Sequence, residues 1–199
     1  MKKLFLESSI NLIKKNRSYS DEDIELISYG LESIYLSFTK AIIIFGIAFI
    51  LGIFKEVFFL LISYNMIRSQ SFGIHASKSI YCLVSSIMMF IGGAFLCKYI
   101  FLPMWVMIIT SIICVILLYL YAPADTEKRP IVSVKKRKRF KIISTLLGCI
   151  YTILIIIIKD LVIKNYLLFG MIWEVLMILP ITYKIFNLSY DNYKSYGIN

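Results

Sequence analysis

Long apolar runs, separated by short polar segments, dominate this sequence of 199 residues. Five runs hold at most one charged residue each and have 17 to 26 residues; they cover residues 33–54, 79–97, 99–124, 142–158 and 165–183. A helix of about 17–25 apolar residues can cross the hydrocarbon core of a bilayer. A further run, 57–67, has 11 uncharged residues and can cross only if its helix continues past Arg68 and Gln70. The pattern therefore predicts about six transmembrane helices, the second being the weakest.

Two amphipathic helices are predicted before the first span. Residues 1–17 place Leu6, Ile10 and Ile13 on one face among basic residues. This pattern fits a helix on an anionic membrane surface, or one packed against the rest of the protein. A second helix is predicted to begin after Ser20, which can cap it. We expect an all-α polytopic membrane protein with a single domain over residues 1–199, comprising interface helices in 1–36, a transmembrane bundle in 37–186 and a cytoplasmic tail in 187–199.

Composition and charge support a membrane protein. Apolar residues make up 59% of the chain, charged residues 17%, and the mean hydropathy is +0.80. Soluble domains have about 45–50% apolar and about 25% charged residues. The net charge of +10 lies in short segments between apolar runs, which favours anionic lipid headgroups over nucleic acid as the partner. The four cysteines form no CxxC pair, so neither a disulfide framework nor a metal site is expected.

The basic residues predict the orientation in the membrane. With six crossings and both termini inside, 18 of the 22 Lys and Arg residues face the cytoplasm. The four outside are Lys55, Lys98, Lys159 and Lys164. This distribution follows the positive-inside rule, whereas the reverse orientation would place the basic run 135–139 outside. We therefore expect a multi-pass protein of the cell membrane with both termini on the cytoplasmic side.

Candidate chemistry lies at the junction between the second and third spans. His75, the chain's single histidine, precedes Cys82 by seven residues. A thiol needs a base to become a nucleophile, and an imidazole is the usual one. If Ser79 caps the third span, Cys82 lies in its first turn, where the helix N-terminus and the nearby Lys78 favour a thiolate. Seven residues of unbroken helix span about 10.5 Å, too far for proton transfer, so a dyad requires a break near Gly73 or a histidine from a second subunit.

A simpler interpretation of these residues remains open at this point. A cysteine in an apolar span is most often a small hydrophobic side chain, which is our interpretation of Cys97, Cys114 and Cys149. A histidine at a membrane boundary is often an interfacial polar group. Ionisable groups near membranes are nevertheless candidates for function.

The junction and one loop resemble a known family. The pattern Arg68-x4-Gly73-x-His75-Ala76-x-Lys78-x3-Cys82, together with the loop at 121–130 (Tyr-Ala-Pro-Ala-Asp-Thr-Glu-Lys-Arg-Pro), is similar to the accessory gene regulator B family. These are membrane cysteine endopeptidases of Gram-positive quorum sensing. Chain length and span layout agree as well. One departure is that many members have two glycines before the histidine, where this chain has Phe72-Gly73.

The resemblance implies a substrate, a reaction and roles for several residues. Cys82 is expected to cleave an autoinducer propeptide with His75 as the proton acceptor, giving an acyl-enzyme thioester that closes into a thiolactone or lactone. No metal or cofactor is needed. Arg68 is expected to hold the acidic tail of the propeptide, and Glu32 to orient the site or bind substrate; the alternative for both is an interfacial salt bridge or a snorkelling side chain. The family also implies a homodimer with its site at the cytoplasmic interface.

Two other classes of function are carried as alternatives. A small membrane transporter subunit would place charged residues along a central path, yet the spans contain few besides Glu174. A non-catalytic membrane scaffold would present the basic run 135–139 to a partner. Full activity of a Cys82→Ser variant would favour either alternative.

Overall fold

The structure is a computed structural model that describes residues 6, 8–13, 20–74, 79–126 and 130–196. The chain divides into two compact units, Met1–Ile47 and Ala48–Asn199, which are described in turn. In the first unit, residue 6 and residues 8–13 are helical, as predicted. Helix α1 spans Asp21–Ile50 without a break. Ser20 caps it, because its Oγ accepts a hydrogen bond from the Asp23 amide at 3.2 Å.

The second unit is a bundle of helices. After α1 come α2 (Phe54–Ser71), α3 (Ser79–Ile87), a π-helical turn (Met88–Gly92), α4 (Gly93–Tyr99), α5 (Met104–Tyr121), α6 (Val134–Ile157), α7 (Leu161–Ile178), α8 (Pro180–Ile185) and a 3₁₀ turn (Asn192–Tyr196). The all-α prediction is confirmed for the described residues, whose extended pairing is limited to one isolated bridge between Phe72 and Ala124.

Five helical segments of the described chain are long and apolar enough to cross a membrane: Gly30–Ile50, Cys82–Tyr99, Met104–Tyr121, Val134–Ile157 and Leu161–Ile178. These segments indicate a membrane protein. Helix α2 is missing from this set, although it runs past Arg68 and Gln70 as its crossing requires. Its 18 residues are about 27 Å long.

Helix α2 packs one face into the bundle, along α7 and against α6 and α4. The buried residues of this face are Val57, Leu60, Ser63, Tyr64, Ile67 and Ser71. The opposite face is exposed and includes Phe58, Ile62 and Met66. Gly170 of α7 lies directly against Ser63 of α2, so an added Cβ would overlap Ser63 Oγ. A small residue at this position lets two helices meet at short range.

Several predicted boundaries differ from the structure. Helix α6 begins at Val134, eight residues before the predicted apolar run 142–158, so the basic run is helical. Ser133 caps it, and Lys and Arg are good helix formers. Helix α7 ends at Ile178 and not at residue 183, because Pro180 cannot continue the amide hydrogen-bond pattern.

The alternating helices give the second unit two distinct ends. At the basic end, hydrogen bonds from Gly73 to Ala124 and from Ile74 to Met177 join the ends of α2, α5 and α7. The start of α6 meets them through the ring contact of Phe140 with Phe72. At the opposite end, Lys98 pairs with Glu56 at 3.7 Å, and Asn165 Nδ2 donates to the carbonyl of Ile100 at 2.7 Å. The segment before His75 and the start of α6 therefore share one end.

The charge distribution predicts which end faces the cytoplasm. A cysteine at Ser133, in a background with the native cysteines replaced by alanine, should resist a membrane-impermeant maleimide in intact cells and react after lysis. The matched control is a cysteine at the exposed Lys159 of the opposite end, which should react in intact cells. Labelling of position 133 but not 159 in intact cells would show that the orientation is inverted.

Candidate active site

The described part of the junction between α2 and α3, Phe72–Ile74, is not helical. Helix α2 ends at Ser71, and Phe72 and Gly73 have φ values of 64° and 103°. Helix α3 begins at Ser79. A single straight helix through the junction is therefore excluded, and the predicted break is confirmed over Phe72–Ile74. Two predicted site residues, His75 and Lys78, lie outside the described residues.

Glycine is required at position 73 for two reasons. Its φ of 103° belongs to a region that residues with a Cβ rarely adopt. An added Cβ would also lie 2.9 Å from the carbonyl oxygen of Met177 and 3.0 Å from Nη1 of Arg68. Phe72 adopts a positive φ as well, and its ring packs edge-on against Phe140 with centroids 5.0 Å apart.

Backbone hydrogen bonds hold the segment before His75 on both sides. The Ala124 amide donates to the carbonyl of Ser71 at 2.9 Å, and the Gly73 amide donates to the carbonyl of Ala124 at 2.8 Å. The Ile74 amide donates to the carbonyl of Met177, at the end of α7, at 3.1 Å. The residue that precedes His75 is thus bound to a distant helix, which fixes the point from which the histidine segment starts.

An ion pair between α2 and α7 also holds the segment Phe72–Ile74 in place. Glu174 of α7 is fully buried; it accepts a hydrogen bond from Ser71 Oγ and pairs with Arg68 Nη1 at 3.4 Å. The other terminal nitrogen of Arg68 donates to the carbonyl of Ile74 at 2.7 Å. Arg68 therefore bridges α2, α7 and the backbone beside His75. Arg68 thus forms a salt bridge, which was the alternative interpretation of this residue. Contact of Arg68 with a propeptide tail stays a prediction.

Cys82 lies in the first turn of α3, four residues into the helix counting from Ser79. It is half-buried, and its carbonyl accepts hydrogen bonds from the hydroxyls of Ser85 and Ser86. The unpaired amides of a first turn create a positive potential that favours an anion. The guanidinium carbon of Arg68 lies 5.6 Å from the centroid of the Tyr64 ring.

The remaining cysteines have different surroundings. Cys97 and Cys114 are buried with exposed fractions of 0% and 4%, and Cys149 is half-buried in the middle of α6. Glu32 is half-buried on α1 and belongs to the first unit. Its predicted role in substrate binding stays a prediction.

Asp125 is a supporting residue that the sequence did not reveal. Its buried carboxylate accepts hydrogen bonds from the amides of Ile131, Asn192 and Tyr193 and pairs with Arg137 at 3.3 Å. It thereby fastens the C-terminal turn and α6 to the loop that contacts Gly73. The one sequence signal was an acidic residue within the conspicuous Tyr-Ala-Pro-Ala loop.

Tyr183 strengthens this loop from α8. Its hydroxyl lies 3.0 Å from the carbonyl oxygen of Asp125 and 3.2 Å from that of Ala124. Burial raises the pKa of Tyr183, so the hydroxyl stays protonated and can donate to these carbonyls. The carbonyl of Ala124 therefore accepts hydrogen bonds from both the Tyr183 hydroxyl and the Gly73 amide.

Comparisons with known proteins show the family to which the chain belongs. The profile of a family described as accessory gene regulator B matches residues 6–178. An AgrB-like protein of Clostridium acetobutylicum is 37% identical over 183 residues, which are 91% of this chain and 88% of the relative. The accessory gene regulator protein B of Staphylococcus epidermidis is 32% identical over 155 residues, which are 78% of this chain and 79% of the relative. No solved structure matches the chain. The chain therefore belongs to the accessory gene regulator B family.

Proposed function

We propose that this protein is a membrane cysteine endopeptidase that removes the C-terminal tail of an autoinducer propeptide and promotes its cyclisation. The observation that carries the proposal is the junction itself. Cys82 occupies the first turn of a helix, and the non-helical, multiply bonded segment Phe72–Ile74 precedes His75. This break removes the obstacle that an unbroken helix would set to a dyad.

The proposed reaction has two steps. In the first, His75 accepts the thiol proton, Cys82 Sγ attacks the scissile carbonyl, and the C–N bond breaks as the proton passes to the leaving amine. The tail leaves and a thioester remains on Cys82. In the second, a cysteine or serine of the propeptide attacks the thioester, its proton returns to the Cys82 sulfur, and a thiolactone or lactone ring closes. Thioester exchange is nearly isoenergetic, so the site must exclude water to prevent hydrolysis.

The supporting residues act on the geometry of this site. Arg68, Glu174 and Gly73 fix the backbone beside His75, and we assign them a positioning role. Lys78 adds a positive charge directly before the first residue of α3, near the helix N-terminus that holds Cys82. Glu32 is proposed to bind substrate or orient the site. The proposed assembly is a homodimer in the cell membrane, with both termini and the site on the cytoplasmic side and no cofactor.

The transporter alternative gains little from the structure. Glu174, the carboxylate that could have lined a path through the spans, is bound to Arg68 and Ser71. Because its charge is already paired, this carboxylate is better explained as an anchor for the junction than as part of a transport path.

The proposed reaction predicts a specific product. Membranes that contain the protein, incubated with the propeptide, should release the tail and a peptide one water molecule lighter than the hydrolysed fragment. The mass difference arises because ring closure replaces hydrolysis of the thioester. Mass spectrometry of both fragments measures it, with membranes that lack the protein as the control. Failure to release any tail would contradict peptidase function, and release of the linear fragment alone would contradict cyclisation.

A further inference from the structure

A groove lies between α5 and α6 at the basic end of the second unit. Its volume is about 320 Å³. It is lined by Tyr119, Lys138, Lys141, Ile142, Thr145 and Leu146. It lies on the outer surface of the two helices and takes no part in the proposed active site. Its lining divides into a basic half and an apolar half.

The basic half contains two lysines on one face of α6. Lys138 and Lys141 are three residues apart, so their side chains emerge from neighbouring positions of the helix. The Lys141 ammonium lies 4.6 Å from the centroid of the Tyr119 ring. Within the described part of the chain, no carboxylate lies within ion-pair distance of either lysine, whereas the neighbouring Arg137 pairs with Asp125. The two ammonium groups thus present positive charge to the groove.

The apolar half continues onto the outer surface of the bundle. Ile142 and Leu146 have exposed fractions of 49% and 55%, and Ile150 and Ile153 extend the same exposed surface along α6. Both helices are long and apolar enough to cross the membrane, so we expect this surface to face lipid. The apolar run of α6 begins at Ile142, directly after Lys141. The groove therefore straddles the level at which lipid headgroups give way to acyl chains.

We propose that this groove binds one anionic phospholipid. Its phosphate contacts Lys138 and Lys141, with the Tyr119 hydroxyl near the headgroup, and an acyl chain lies along Ile142 and Leu146. A lipid matches both halves of the groove and the membrane level at which they meet, whereas a soluble anion would leave the apolar half uncovered. Positive charge close to a membrane surface attracts anionic lipid, and the paired lysines concentrate that attraction at one site. This inference is independent of the proposed peptidase reaction.

The test measures lipid binding to the full chain. The purified protein is reconstituted with mixtures of phosphatidylglycerol and phosphatidylcholine, and retained lipid is counted by native mass spectrometry after mild delipidation. The double variant Lys138→Gln/Lys141→Gln should bind phosphatidylglycerol about tenfold more weakly or worse. Its matched control, Lys135→Gln/Lys136→Gln, removes the same charge from exposed positions of the same helix and should bind as the wild type does.

A variant in the apolar half of the groove tests the acyl-chain contact separately. Leu146→Ser should weaken retention of phosphatidylglycerol while leaving the charge unchanged. Equal losses in the two double variants would overturn the site in favour of diffuse surface attraction. Unchanged retention in Lys138→Gln/Lys141→Gln, or equal retention of phosphatidylcholine, would overturn it as well. Displacement of the bound lipid by soluble polyglutamate would instead assign the groove to an acidic peptide.

Discussion

Replacement of Cys82 by alanine should abolish propeptide cleavage, a loss of at least about a thousandfold. The expected loss is this large because no other group in the proposed mechanism can form the thioester. Cys82→Ser should be inactive as well, since a hydroxyl is a much weaker nucleophile beside the same base. The measurement is the size shift of the propeptide in membranes that contain each variant at equal abundance.

The other cysteines supply matched controls for this prediction. Cys97→Ala, Cys114→Ala and Cys149→Ala each remove a thiol from the bundle and should retain cleavage. The side chain of Cys97 is fully buried, so its variant also reports the cost of losing a buried sulfur. Wild-type cleavage by Cys82→Ala, or complete loss in Cys149→Ala, would refute the assignment of the nucleophile.

Removal of the buried carboxylate of Glu174 should also have a large effect. Glu174→Ala leaves the Arg68 guanidinium in the interior without its ion-pair partner and deprives Ser71 of its acceptor. Breaking a buried pair in this way costs about 3–5 kcal/mol of folding free energy. We expect a lower unfolding temperature and a loss of cleavage, because Arg68 also holds the carbonyl of Ile74 beside His75.

A second variant separates positioning from folding. Arg68→Met/Glu174→Met replaces the pair by apolar side chains and should recover much of the stability. It should not recover cleavage, because the bond from Arg68 to Ile74 is gone. The control is Glu56→Ala, which removes the carboxylate of the partly exposed pair with Lys98 and should cost about 0–1 kcal/mol. Full cleavage by the double-methionine variant would show that Arg68 acts only in folding.

The spans could be predicted from the sequence because lipid selects for apolar side chains on each helix separately. The pattern is weakest for α2, as predicted. Arg68 interrupts its apolar run, and a carboxylate 106 residues later compensates the charge. Partners so distant leave no local pattern. The start of α6 at Val134 was missed for a related reason, since apolarity reports membrane depth and not the length of a helix.

The candidate site was predictable in part. The spacing of His75 and Cys82 demanded a break, and Gly73 marked where the chain could turn. Asp125 and Tyr183 could not be assigned, because their function depends on backbone groups brought together from the 122–126 loop, α8 and the C-terminal turn. The supporting hydrogen bonds join segments that are distant in the sequence, whereas the two reactive side chains could be identified from their local spacing.

The most direct test of the central claim is the detection of an acyl-enzyme on Cys82. A propeptide whose ring-closing cysteine or serine is replaced by alanine cannot complete the second step, so the thioester should accumulate. Intact-mass measurement followed by peptide mapping locates the adduct, and hydroxylamine should release it. The account predicts a hydroxylamine-sensitive adduct on the peptide that contains Cys82. Tail release without any adduct, or an adduct on another cysteine, would contradict it.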